Sequence, residues 1–162
     1  MVTETDLGTL EDERQITRVL MLYCELLDTG QADRVATEVY ASEAVADYNF
    51  YVLNGRQAIN DYLVVNMAGF RETAHVLSNV SLKVCDGNHT EVRSMLTAWH
   101  WIKRPEVSDS QTPTDFAQIV VCTDRLMCTP EGWRIIEHRA RPLGPSIALT
   151  SSSVVLKRDE NG

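Results

Sequence analysis

Two histidines, His75 and His100, could move a proton near neutral pH, because imidazole is the side chain whose ordinary pKa falls there. Each sits in one arm of a long β-hairpin pattern between Arg71 and Lys103. The first arm reads Glu72 to Cys85, Asp86-Gly87-Asn88 supplies turn residues, and the second arm reads Glu91 to Ile102. Side chains alternate across a strand, so His75, Leu77 and Asn79 share one face of the first arm. Val92, Ser94, Leu96, Ala98 and His100 share one face of the second. If both faces point the same way, two imidazoles line a mostly apolar pocket; alternation alone leaves that open. The matching chemistry is general acid–base catalysis. A buried imidazole alone is a poor base, since desolvation disfavours its cation. A carboxylate on its other nitrogen would fix the tautomer and stabilise the charge as a proton arrives.

The elements that must position these groups read as helices first and strands afterwards. Thr9-Leu-Glu-Asp12 resembles a capping box, and Ile16, Val19, Leu20, Tyr23 and Leu27 recur at helical spacing up to a stop at Gly30. A second helix spans about Ala32 to Tyr40, a strand Ala44 to Leu53, and a third helix Gln57 to Met67, with Asn54-Gly55 and Gly69 as breaks. After the hairpin come a polar loop (Arg104 to Thr114), a strand (Phe116 to Cys128), the turn Thr129-Pro-Glu-Gly132 and a strand (Trp133 to Ala140). This order predicts an α+β fold with helices packed on one curved sheet. The 162 residues read as a single domain with a core over about 9–141. The 142–162 tail is too apolar to hang free, and would cover the mouth of the sheet or a neighbouring subunit.

Composition narrows the function classes. The chain is 44% hydrophobic and 23% charged with a net charge of −8, which suits a globular domain. It disfavours nucleic acid and anionic lipid as partners, since both call for a basic surface. Cys24, Cys85, Cys122 and Cys128 show no paired spacing, so neither a zinc site nor a disulfide framework is expected. No apolar run has the length of a membrane span, and the first residues lack a signal-peptide pattern. The expected location is the cytoplasm. The sequons at Asn79 and Asn88 read as coincidences of composition. His89, beside the hairpin turn, and His138, in Glu137-His-Arg, read as structural histidines.

Several stretches together resemble a known family: Leu27-Asp28-Thr-Gly-Gln-Ala-Asp33, Ala44-Val-Ala-Asp47-Tyr48, Ala74-His75-Val-Leu-Ser-Asn79 and Gly132-Trp133-Arg-Ile-Ile. They are similar to the SnoaL-like branch of the nuclear transport factor 2-like superfamily, over roughly Glu11 to Arg141. The resemblance implies an NTF2-like α+β barrel, a cone-shaped antiparallel sheet whose three helices enclose a deep pocket. Within that branch the chain most resembles the scytalone dehydratases. The resemblance places their catalytic aspartate, base histidine, second histidine and tyrosine on Asp28, His75, His100 and Tyr48. The chain departs from that family at Leu27, where the family has a second tyrosine, and at Val120 and Cys122, where it has a polar pair. The implied activity is removal of water from a small cyclic or polyketide-like hydroxy ketone, with no cofactor and no metal. A dehydrochlorinase of the same superfamily also uses an aspartate–histidine pair, so the pair points to proton abstraction more than to one leaving group.

Three other readings remain. Ketosteroid isomerases of the superfamily use a first-helix tyrosine and a first-strand aspartate, and Tyr23 and Asp47 fall near those places. Asp47 and Tyr48 point to opposite faces of a regular strand, so a pocket-facing Asp47 favours the isomerase and a pocket-facing Tyr48 the dehydratase. Polyketide cyclases use the same kind of pocket, and a non-catalytic binding protein would use it without chemistry. Tyr23, Asp47 and Asn79 are the expected substrate contacts. Met95, Trp99 and Trp101 fall on the face opposite His100, too apolar to stay wet, and predict a homodimer or homotrimer.

Overall fold

The computed structural model describes residues 4–86, 88–104 and 114–149. Three helices, α1 (Glu4–Asp28), α2 (Ala32–Val39) and α3 (Arg56–Met67), pack on a seven-stranded sheet. The strands are β1 (Tyr40–Asp47), β2 (Val52–Asn54), β3 (Phe70–Asp86), β4 (His89–Ile102), β5 (Phe116–Thr129), β6 (Gly132–Pro142) and β7 (Ile147–Ala148). Their order is β2-β1-β6-β5-β4-β3, with β7 on β5.

The expected three helices on a curved sheet are present, with two differences in the sheet. It is mixed, because β1 runs parallel to β6, and it is open, with β2 and β3 as its edges. The run expected as one strand from Ala44 to Leu53 is two. Asn49 adopts a left-handed φ of 69°, its N–H donates to Asp47 Oδ1 at 3.0 Å, and the chain reverses so that β2 pairs antiparallel with β1. Asparagine suits such a turn because its short polar side chain tolerates the left-handed region. The Thr9–Asp12 stretch lies inside α1 rather than at its cap, and Asp12 instead accepts a bond from Trp133 Nε1 at 3.1 Å.

The α1 stripe behaves as its spacing predicts: Ile16, Val19, Leu20 and Leu27 are buried against the sheet. They meet Val35, Val39, Ile59, Leu126 and Ile135 in one core. Burying a side chain of that size contributes about 2 kcal/mol each before entropy is subtracted. Gly30 ends the helix in a paired cap, its N–H on Leu27 O and that of Gln31 on Leu26 O, with Gly30 at φ 72°.

Two bulges reshape the sheet. In β3 the register on β4 shifts between Ser78 and Ser81, where Asn79 has φ 50°. In β6 the register on β5 shifts between Arg125 and Leu126, so that Ile136 is the extra residue. Each bulge moves the inward set from odd to even positions: His75 and Leu77 give way to Val80 and Leu82, and Trp133 and Ile135 give way to His138. Of the apolar tail, Ile147–Ala148 extends the sheet beside Phe116 and Ala117 at its mouth. Residues 150–162 of that tail, the 105–113 part of the polar loop, Gly87 and the Cys85 side chain lie outside the described residues. Among the described residues no helix is long and apolar enough to cross a membrane.

Candidate active site

A cavity of about 280 Å³ opens between the helices and the inner face of the sheet, and His75, His100, Tyr23, Tyr48 and His138 all line it. The β3–β4 register pairs His75 with Ala98 and Thr73 with His100, so both imidazoles share the inner face. Trp99 and Trp101 belong to the outer one.

Asp28 occupies the last turn of α1, where the helix dipole disfavours a carboxylate by about 0.3–1 kcal/mol. Three donors from β3 offset that cost. Thr73 Oγ1 donates to Asp28 Oδ1 at 2.8 Å, the His75 amide donates to Oδ2 at 2.8 Å, and His75 Nδ1 lies 2.6 Å from Oδ1. The His75 ring is 6% exposed and the Asp28 side chain 26%. The Asp28 contact holds Nδ1 and leaves Nε2 for the cavity.

The His100 ring stands perpendicular to His75 with centroids 5.7 Å apart, stacks on Phe116 at 4.5 Å and leans on Phe70. Burial first, and then the neighbouring His75, push its pKa down to about 4, so it is neutral at physiological pH. Its Nδ1 has no protein partner among the described residues.

Tyr48 follows β1 and faces the cavity, stacked on Tyr62 at 4.9 Å. Its hydroxyl lies 3.1 Å from that of Tyr40 and 3.4 Å from that of Tyr23. Burial pushes all three phenols up, so each stays protonated and able to donate.

Two expected substrate contacts lie elsewhere. Asp47 does not line the cavity; it is paired with Arg141, with Arg139 at 3.9 Å, and the Arg141 guanidinium lowers its carboxyl pKa. The alternation of β1 that buries Ala44 and Ala46 turns Asp47 outward and Tyr48 inward. Asn79 is exposed, its amide 3.2 Å from Met95 Sδ. The β3 bulge inverts the alternation that would have aligned it with His75.

His138, expected to be structural, is a lining residue of the cavity. Its Nδ1 lies 2.6 Å from Asp124 Oδ1, and the two side chains are 5% and 2% exposed. Tyr23, Tyr40 and Tyr48 surround it, with ring centroids at 5.9, 6.2 and 5.1 Å. The signal that could have found it is cross-strand pairing. Asp124 stands directly opposite His138 on β5 and β6, but counting back from the 129–132 turn without the bulge places Glu137 there instead. Val120 and Cys122 also line the cavity, so the wall between the two histidine clusters is apolar.

Residues 8–139 match the family described as the SnoaL-like domain. No curated protein sequence matches the chain. Among solved structures, a candidate scytalone dehydratase from Novosphingobium aromaticivorans is 19% identical with a TM-score of 0.77, covering 88% of this chain and 91% of that one. The hexachlorocyclohexane dehydrochlorinase LinA-type3 from Novosphingobium barchaimii is 14% identical with a TM-score of 0.75, covering 90% and 95%. An NTF2-like protein with a cystatin-like fold from N. aromaticivorans is 21% identical with a TM-score of 0.68, covering 88% and 92%. At these identities the likeness is one of fold.

Proposed function

The chain belongs to the SnoaL-like domain family, and we propose that it is a lyase that removes water from a small ring-containing hydroxy ketone. His75 is the base and Asp28 the residue that orients it. The observation that carries this reading is the 2.6 Å Nδ1–Oδ1 contact at the wall of the cavity. With Nδ1–H on Asp28, the lone pair of Nε2 takes the proton α to the substrate carbonyl, and the carboxylate stabilises the imidazolium that forms. A neutral His100 and the protonated Tyr48 are donors for the developing enolate oxygen. Phe70 and Phe116 beside the histidines suit a flat ring.

Asp47, turned outward onto Arg141, is no base for the isomerase alternative. The outer face of β3 and β4, with Met95 and Trp99 half-buried and Val76 51% exposed, supports self-association. Sedimentation should show a dimer or trimer that Val76→Glu weakens; a wild-type monomer would end that part of the reading.

A β-hydroxytetralone is a direct probe, because loss of water gives a fluorescent naphthol. The wild type should accelerate its conversion and His75→Gln should not. A wild-type rate equal to that in buffer would overturn the lyase reading.

A further inference from the structure

We propose that His138, held by Asp124, is a second catalytic residue of the same cavity: the acid that protonates the departing hydroxyl. This rests on the lyase reading above and supplies what that reading lacks. Hydroxide is a poor leaving group and needs a proton as the carbon–oxygen bond breaks. In the balanced step, His75 Nε2 takes the α-proton and the C–H electron pair becomes the C=C bond. The C–O pair leaves with oxygen, which takes the proton from His138 Nε2 and departs as water.

The two histidine–aspartate pairs are built differently, and the difference assigns the roles. Asp28 divides its charge among a hydroxyl, an amide and a ring N–H, and is partly solvated. Its pull on the His75 Nδ1 proton is therefore shared with two other donors. Asp124 is 2% exposed and has His138 as its only hydrogen-bond partner among the described residues. A buried carboxylate is costly unless it is paired, and among the described residues the groups around His138 include no other cation. Those groups are Tyr23 and Cys24 from α1, Tyr40 and Tyr48 from β1 and its turn, and Cys122 from β5. Burial raises the pKa of each, Cys24 to about 12, so all are neutral. In the proposed role His138 carries the proton and is the partner that balances Asp124. His100 cannot take the role, since its ring is neutral.

His75 lies on β3 and His138 on β6, with β4 and β5 between them. His75 is in register with Ala98 and Gln118, and His138 with Asp124 and Val92, six residues further along β5. The curved sheet and the helices nevertheless bring both side chains to the wall of one cavity, which Leu96 and Val120 also line. A halide would leave without a donor, so the second pair favours water as the leaving group.

Two measurements test the assignment. Nitrogen NMR of histidine-labelled protein should show both ring nitrogens of His138 protonated at neutral pH in the wild type, and one in Asp124→Asn. A neutral His138 in the wild type would overturn the proposal whatever the substrate. Kinetically, elimination from the β-hydroxytetralone is compared with α-proton exchange of plain tetralone in deuterium oxide. His138→Gln and Asp124→Asn, each checked by circular dichroism, should lower the ratio of elimination to exchange by about a hundredfold. His75→Gln should abolish both. An unchanged ratio in folded Asp124→Asn would overturn the proposal while leaving His75 as base. If the wild type catalyses neither reaction, the lyase reading fails. The acid role falls with it, even where NMR finds His138 protonated.

Discussion

Replacing Asp28 by asparagine puts the sharpest demand on the proposed base. The carboxylate accepts three bonds: Thr73 Oγ1 and His75 Nδ1 on Oδ1, and the His75 amide on Oδ2. Asparagine has one acceptor oxygen and one donor nitrogen, so it cannot satisfy this set in either orientation. If its nitrogen takes the Oδ2 position, two N–H groups face each other at 2.8 Å, and an unsatisfied buried donor costs about 1–3 kcal/mol. If the amide flips, its N–H donates to His75 Nδ1. The ring then carries its own proton on Nε2, the nitrogen that must be empty to act as a base. Either way the negative charge that stabilises the imidazolium is gone. The expected loss in kcat/KM for the β-hydroxytetralone is about 10²–10⁴-fold. KM should change little, because Asp28 sits behind the ring. The thermal midpoint should fall by about 2–4 °C for each kcal/mol lost. A wild-type kcat/KM in folded Asp28→Asn would refute the reasoning, since no orientation of the amide preserves both tautomer and charge.

Three further outcomes follow from the placement of single residues. Asn79→Ala should leave turnover intact and lower the urea midpoint, because alanine at φ 50° costs about 1 kcal/mol or more; a loss of activity would return Asn79 to the pocket. Asp47 has a folded pKa below its ordinary 3.8, chiefly through Arg141. Its contribution to stability is therefore full above that value and lost as the pH falls through the lower folded one. Asp47→Asn should flatten this acid limb of a midpoint-against-pH curve at undiminished activity, and an unaltered limb would deny the ion pair. His100 shifts from 6.5 to about 4, so the unfolded chain takes up its proton first as the medium acidifies. Stability linked to His100 is complete above 6.5 and declines towards about 4. His100→Phe should remove that decline in urea titrations while keeping the stack on Phe116, and an identical pH profile would contradict the burial argument.

Local pattern was enough for the three helices and the long strands, though not for the split of the Ala44–Leu53 run into β1 and β2. The Ile16–Leu27 stripe, the Gly30 stop and the alternation along β4 from Val92 to His100 depend on residues close in the chain, so their periods are visible in it. The resemblance placed Asp28 and His75 together, and the fold brings them to 2.6 Å. What the sequence alone could not decide was which face each later residue would take. A strand has a period of two, so one inserted residue inverts everything beyond it. The Asn79 bulge turns Asn79 to solvent and Val80 to the core. The Ile136 bulge brings His138 opposite Asp124, where an unbroken count from the turn would have set Glu137. Those insertions are stable because strands distant in the chain pair across them and because Leu126 and Ile135 fill the core on the other side. Only the assembled sheet carries that information, and with it the second histidine–aspartate pair.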